Sequence, residues 1–136
     1  REGFESHIRS VCPDITIVDS ASAMDDAEHS YRMTMAMLDR NPQIDAIFIV
    51  AAGAEGVCRA VMEKNLGTTM RVVAFDTIPA TISMMRTGLV RAVICQQPLR
   101  QGYDSVIAAF DILLSGRPKQ GERMIMEHQI KILENL

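Results

Sequence analysis

Short apolar runs separated by helix-length stretches govern what this chain can become. Ala46-Ile47-Phe48-Ile49-Val50, Val72-Val73-Ala74-Phe75 and Ala92-Val93-Ile94-Cys95 are each continuously apolar, the pattern of parallel strands covered on both faces. Between the first and second lies a stripe of Val57, Ala60 and Val61; between the second and third, Ile78, Ile82 and Met85 recur at offsets 0, 4 and 7. Both stripes predict helices packed on one side. Strands linked through helices in this order specify a parallel sheet with right-handed crossovers. The expected fold is therefore α/β, a parallel sheet flanked by helices on both faces.

The flanking segments extend the alternation. Phe4, Ile8 and Val11 predict an opening helix, broken at Pro13-Asp14, and β-branched Ile15-Thr16-Ile17-Val18 predicts a strand. Asp25-Asp26 starts a helix with the stripe Tyr31, Thr34, Met35 and Leu38, which Asn41-Pro42 stops. Asn65-Leu66-Gly67 and Gly88 close the next two helices. Pro98 opens the longest one, striped by Leu99, Tyr103, Val106, Phe110 and Leu113 and ended by Gly116-Arg117-Pro118. The tail, with Met124, Met126 and Ile130-Lys131-Ile132, predicts one or two edge strands. Ten methionines serve either as adaptable core filler or as a partner surface.

At 136 residues there is chain for one domain, and 48% hydrophobic with 23% charged residues is ordinary for a globular one. A net charge of −3, with basic residues scattered singly, argues against phosphate-backbone binding by this segment. No run approaches the roughly 18 apolar residues of a membrane span, and no signal peptide is visible. The opening Arg1-Glu2-Gly3-Phe4 reads as part of a longer polypeptide. Cys12, Cys58 and Cys95 sit in or beside apolar stretches and read as structural core cysteines; odd in number and widely spaced, they fit a reducing compartment better than a disulfide framework. A cytoplasmic setting is the expectation.

Two polar residues stand where strands end. Val72 to Phe75 stops at Asp76, and Ala92 to Cys95 stops at Gln96. Carboxyl ends of strands line the ligand crevice in open α/β sheets, so a carboxylate and an amide there suit a neutral ligand rich in hydroxyls. Asp76 has a second reading, since it or Thr77 could be the N-cap of the helix over 78–87. Ala51-Ala52-Gly53 is a tight turn, and Gly53 with Gly56 lacks both glycine-rich phosphate motifs; close backbone approach to the cleft is the better reading. His7, His29 and His128 lack metal-ligand spacing, and Asp25, Asp26 and Glu28 read as helix-start charges. No metal, cofactor or catalytic set is expected, so binding without chemistry is favoured over an enzyme.

Asn41-Pro42-Gln43-Ile44-Asp45-Ala46-Ile47-Phe48 resembles the P-x-h-D-A-I-F strand entry of LacI-type regulators and type I periplasmic sugar-binding proteins. Val72-Val73-Ala74-Phe75-Asp76 is similar to their V-V-G-F-D strand. Arg91 to Pro98, followed by Gln101-Gly102-Tyr103, is similar to their A-T-h-x-Q-x-P…x-x-G junction, and Gly3-Phe4 to their R-x-x-G-F helix. Glu134-Asn135-Leu136 resembles the ending of some sugar-responsive regulators. The signals run in family order over nearly the whole chain.

That resemblance implies two lobes around a sugar-binding cleft. Residues 1–136 would be a partial effector-binding domain, the C-terminal lobe, with a helix over 99–115 packing on an N-terminal lobe outside this chain. Asp76 and Gln96 match positions that hydrogen-bond the sugar. Where the family reads N-D-x-x-A-x-G, this chain has Ala51-Ala52-Gly53-Ala54-Glu55-Gly56, so Ala52 and Gly53 would contact ligand through backbone. Arg1 does not match the ligand-binding arginine, which stands four residues before Phe4 in the family motif. The family's first strand of this lobe, expected between Ile15–Val18 and Ala46–Val50, is not in the chain; either those two strands pair directly or more chain exists. The functional expectation is a sugar-sensing domain of a LacI-type transcription regulator, dimeric, touching DNA only through a headpiece outside this chain. The helix over 54–63 and the stripe around Met35 and Leu38 are candidate subunit contacts or ordinary core. The alternative is the periplasmic sugar-binding component of an ABC-type transporter.

Overall fold

Parallel strands need connections long enough to return to the same edge, and two helices supply them in the computed structural model, which describes residues 2–116 and 125–136. The elements run α1 (Glu2–Val11), α2 (Ala27–Arg40), β1 (Ala46–Phe48), α3 (Ala54–Glu63), β2 (Arg71–Phe75), α4 (Pro79–Arg86), β3 (Val90–Cys95), α5 (Pro98–Ser115) and β4 (Gln129–Lys131), with a final 3₁₀ turn at Leu133–Asn135. The sheet order is β1-β2-β3-β4; the first three strands are parallel, and β4 pairs antiparallel with β3. The expected α/β architecture is present, with a mostly parallel open sheet.

One face of the sheet carries the core. Ile47, Ile49, Val72, Ala74 and Val93 meet Val57, Cys58 and Val61 of α3, Met85 of α4 and Leu38 of α2. Val61, Val72, Ala74 and Val93 are fully buried, and burying a Val or Met side chain stabilises by about 1.5–3 kcal/mol. On the other face, Phe4 of α1 stacks on Phe48 with ring centroids 4.4 Å apart, and Phe48 meets Phe75 edge-on at 5.9 Å.

Local chemistry sets the helix ends. Asp26 caps α2, its Oδ1 accepting from the His29 N–H at 2.6 Å. α3 and α4 both finish in paired backbone closures: Leu66 N–H to Val61 C=O with Asn65 N–H to Met62 C=O, and Leu89 N–H to Met84 C=O with Gly88 N–H to Met85 C=O. Gly88 takes the left-handed φ of +78° this requires.

Two expectations are corrected. Ile15 to Val18 forms no strand and pairs with nothing in the sheet, whose described order begins at β1. β-branched residues favour a pleated surface but cannot make a strand without a neighbouring ladder. Direct pairing between that segment and β1 is therefore not realised; Asp19 beside it is instead tied to α2 by Arg40 (2.8 Å) and Asn41 (3.3 Å). Second, β1 is shorter than the apolar run, and Val50 is 50% exposed. Val57 and Leu38, read as subunit contacts or ordinary core, belong to the core. Arg1, Arg117, Pro118 and Met124 lie outside the described residues.

Candidate functional site

The carboxyl ends of β1, β2 and β3 come out side by side, so the loops after them share one edge. Asp76 follows β2 and donates its own N–H to the Ile94 carbonyl of β3 at 2.9 Å. Its φ of +63° lies in the left-handed region, where Asp is among the few residues that occur at all readily. Gln96 follows β3, and its Nε2 donates to Asp76 Oδ2 at 3.1 Å and Oδ1 at 3.3 Å. Both residues are half-buried. The sequence reading placed them together, and they touch.

That contact also separates the two readings of Asp76. The N-cap of α4 is Ile78, with no side-chain capping bond, so the Asp76 carboxylate faces Gln96 and does not cap the helix. A carboxylate has about four acceptor positions, and an amide oxygen adds two more. Gln96 occupies only part of this set through Nε2, leaving Gln96 Oε1 and the remaining lone pairs of Asp76 for O–H donors. Unpaired acceptors of this kind reject ligands without matching hydroxyls.

The backbone around the pair is held from several sides. Gln101 Nε2, on the first turn of α5, donates to the Gln96 carbonyl at 2.6 Å. Gln97 takes a left-handed φ of +54°, turning the chain from β3 into Pro98 and α5. Thr77 Oγ1 lies 3.7 Å from Cys95 Sγ. Thr81 Oγ1, on α4, reaches back to the Asp76 carbonyl at 2.7 Å.

Ala52 and Gly53 sit in the loop after β1. The Ala52 N–H donates to Asp25 Oδ1 at 3.1 Å, so that amide is directed to the loop before α2. Gly53 has φ +96°, and a Cβ on it would fall 2.1 Å from Ser30 Oγ; one on Gly56 would fall 1.8 Å from the Ala27 carbonyl oxygen. The close approach expected of these glycines is real, but its object is α2 and not the cleft. Two cavities, about 440 Å³ beside Glu2, Glu5, Ser6, Arg9 and Ser10 and about 310 Å³ beside Met62, Asn65, Gly67, Thr68, Thr87 and Leu89, do not border Asp76 or Gln96.

Sequence reasoning missed Thr81, and it named Gln101 only within the junction motif and Asp25 only as a helix-start charge. Thr81 could have been found, because it stands four residues before Met85 and shares its face. Gln101 and Asp25 carry no such signal. Among the described residues no group of three or more His, Cys, Asp or Glu converges as a metal set would.

This fold and rim define a class. The model of the periplasmic binding protein domain matches residues 1–118, and the chain belongs to that family. Among solved structures, XylFII matches at 29% identity and TM-score 0.83, over 96% of this chain and 46% of its own. An ABC transporter periplasmic solute-binding protein from Actinobacillus succinogenes, solved with bound D-allose, matches at 27% identity and TM-score 0.84, over 99% of this chain and 47% of its own. GanP, a glucose-galactose binding protein from Geobacillus stearothermophilus, matches at 23% identity and TM-score 0.89, over 98% of this chain and 47% of its own; at that identity the likeness concerns fold alone. The chain thus spans just under half the length of these proteins. No curated protein matches it.

These findings overturn the expected LacI-type transcription regulator and its cytoplasmic setting. The matching family is periplasmic, and the similar structures include solute-binding proteins of sugar transporters. The reason for the misreading is physical. Strand-end motifs report only which residues stand where the parallel strands end, and nothing in them encodes what the rest of a protein does with that edge. The cysteines misled similarly: Cys58 is a small core hydrophobe at 2% exposure, so its presence reports burial and not redox compartment.

Proposed function

We propose that the chain is the C-terminal lobe of a two-lobed sugar-binding protein serving a solute transporter, holding its ligand without transforming it. The observation that carries this is the Gln96–Asp76 pair at the carboxyl edge of the parallel strands, a donor–acceptor set suited to vicinal hydroxyls. The D-allose-bound relative from Actinobacillus succinogenes supports the ligand class. With the Ala52 N–H given to Asp25, the proposed backbone contacts on the same edge are the Ala52 carbonyl and the Gly53 N–H. The ligand closes the two lobes by bonding both, which shifts the population toward the closed form.

α5 supports the two-lobed reading. None of its residues is buried, and Leu99, Tyr103, Val106 and Leu113 are each at least 66% exposed, an apolar stripe fit to pack on a first lobe. A structure of XylFII in complex with LytSN supports a protein partner as a further element of the proposal.

The test is calorimetric titration of the intact protein with D-allose, D-arabinose, D-glucose and D-galactose. At least one sugar is expected to bind. Asp76→Ala should weaken it about a hundredfold and Gln96→Ala about fivefold, given about 1.5–3 kcal/mol per hydrogen bond to a charged group and about 1 kcal/mol otherwise. Binding of none of the four, or unchanged binding by both variants, refutes the proposal.

A further inference from the structure

Thr81 is a polar side chain on the buried face of α4, 1% exposed, where a hydroxyl is costly unless hydrogen-bonded. Its Oγ1 lies 2.9 Å from the Ile78 carbonyl and 2.7 Å from the Asp76 carbonyl. The Ile78 contact is the ordinary back-bond of a helical threonine to the preceding turn, and that carbonyl already accepts the Ile82 N–H at 3.0 Å. The Asp76 contact is different. It spans five residues, crosses the whole β2–α4 turn, and is the shorter of the two.

We propose that Thr81 is a positioning residue for the ligand-binding carboxylate of Asp76, an inference that rests on the sugar-binding reading above. A left-handed φ is unfavourable for a non-glycine residue and persists only where its surroundings hold it. At Asp76 the peptide groups on both sides are held: the N–H by the Ile94 carbonyl of β3, the C=O by the Thr81 hydroxyl of α4. Between these two anchors the side chain has its direction fixed toward Gln96 Nε2. The helix start offers no substitute, because Ile78 at the N-cap has no polar side chain to grip the turn. Removing the hydroxyl frees the Asp76 carbonyl and lets the residue relax toward an ordinary φ, which swings the carboxylate away from Gln96.

The experiment is calorimetric titration of the intact protein with the tightest-binding of the four sugars above, comparing wild type, Thr81→Val, Thr81→Ala and Thr81→Ser. Val keeps the shape and loses the hydroxyl; Ser keeps the hydroxyl and loses a methyl. Positioning predicts about tenfold weaker binding for both Val and Ala, and Ser within about threefold of wild type. It also predicts that Thr81→Val has no further effect in an Asp76→Ala background. A packing role predicts the reverse order, with Val like wild type and Ser impaired, and that result overturns the proposal. If Thr81→Val does not fold, Thr81→Ser decides alone: near-wild-type affinity supports the proposal and a tenfold loss overturns it. Should Asp76→Ala weaken binding while Thr81→Val does not, only this inference falls. Should Asp76→Ala leave binding intact, the sugar-binding reading falls and takes this inference with it.

Discussion

Gly56→Ala is a small change with a large expected effect. Gly56 lies in α3, where Ala is ordinarily better than Gly by about 1 kcal/mol. Here the added Cβ would fall 1.8 Å from the Ala27 carbonyl oxygen and 2.8 Å from both the Ala27 carbonyl carbon and the Tyr31 nitrogen, all backbone atoms of α2. Ordinary contact begins near 3.4 Å, so the two helices must separate by about 1.6 Å locally. A gap of that size forfeits much of the dispersion contact along the interface. Overpacking costs about 1–3 kcal/mol when side chains can yield, and backbone yields less readily. The net expectation is destabilisation by about 2–3 kcal/mol, or a melting temperature lower by about 10 °C. Gly102→Ala is the control: it sits in α5, exposed, with nothing within 4 Å of the added Cβ, and should stabilise by up to about 1 kcal/mol. Thermal and urea denaturation of both variants, followed by circular dichroism, measures the difference. A Gly56→Ala midpoint at or above wild type would refute the packing argument.

Other predictions concern single groups. Burial pushes the Cys58 thiol up to about 12 from an ordinary 9, so a thiol reagent at pH 8 should label the half-buried Cys12 and Cys95 in the folded protein and reach Cys58 only on unfolding. Because its folded value is raised, the stability Cys58 contributes is complete below about pH 9 and is lost as pH rises toward 12; a denaturation midpoint flat across that window in wild type, or an equal fall in Cys58→Ala, contradicts this. The Arg40 hydrogen bond holds the Asp19 carboxyl below its ordinary 3.8, so its contribution is present above that pH and lost as pH falls through the lowered value. Carbon-detected NMR titration should show Asp19 moving up in Arg40→Gln; an unchanged midpoint would remove Arg40 as the cause. Tyr31 donates to Glu63 Oε2 at 2.7 Å, which raises its phenol above 10, and Glu63→Gln should lower the spectroscopic titration midpoint.

Much of this architecture was legible because it rests on local rules. The runs around Ile47, Val73 and Val93 are strands, and the breaks at Asn41, Asn65 and Gly88 are where helices end. Asp76 and Gln96 were legible too, since two strand ends one crossover apart must share an edge. What stayed hidden depends on partners. Ile15 to Val18 has strand composition but no ladder. The stripe Ile78-Ile82-Met85 was right at Met85 but not at Ile78, because Thr81 turns inward with Met85 while Ile78 stays exposed. The glycines at 53 and 56 showed that something approaches closely, but only the placement of α2 says what. Asp25 meets Ala52 across a loop contact 27 residues apart, which no short-range pattern encodes.

The exposed stripe of α5 has a practical corollary. Leu99 at 89% and Leu113 at 82% exposure give α5 the character of a detergent-like rod. At high concentration the chain should self-associate through that rod, and its sedimentation behaviour would then report directly how strongly the stripe calls for a covering surface.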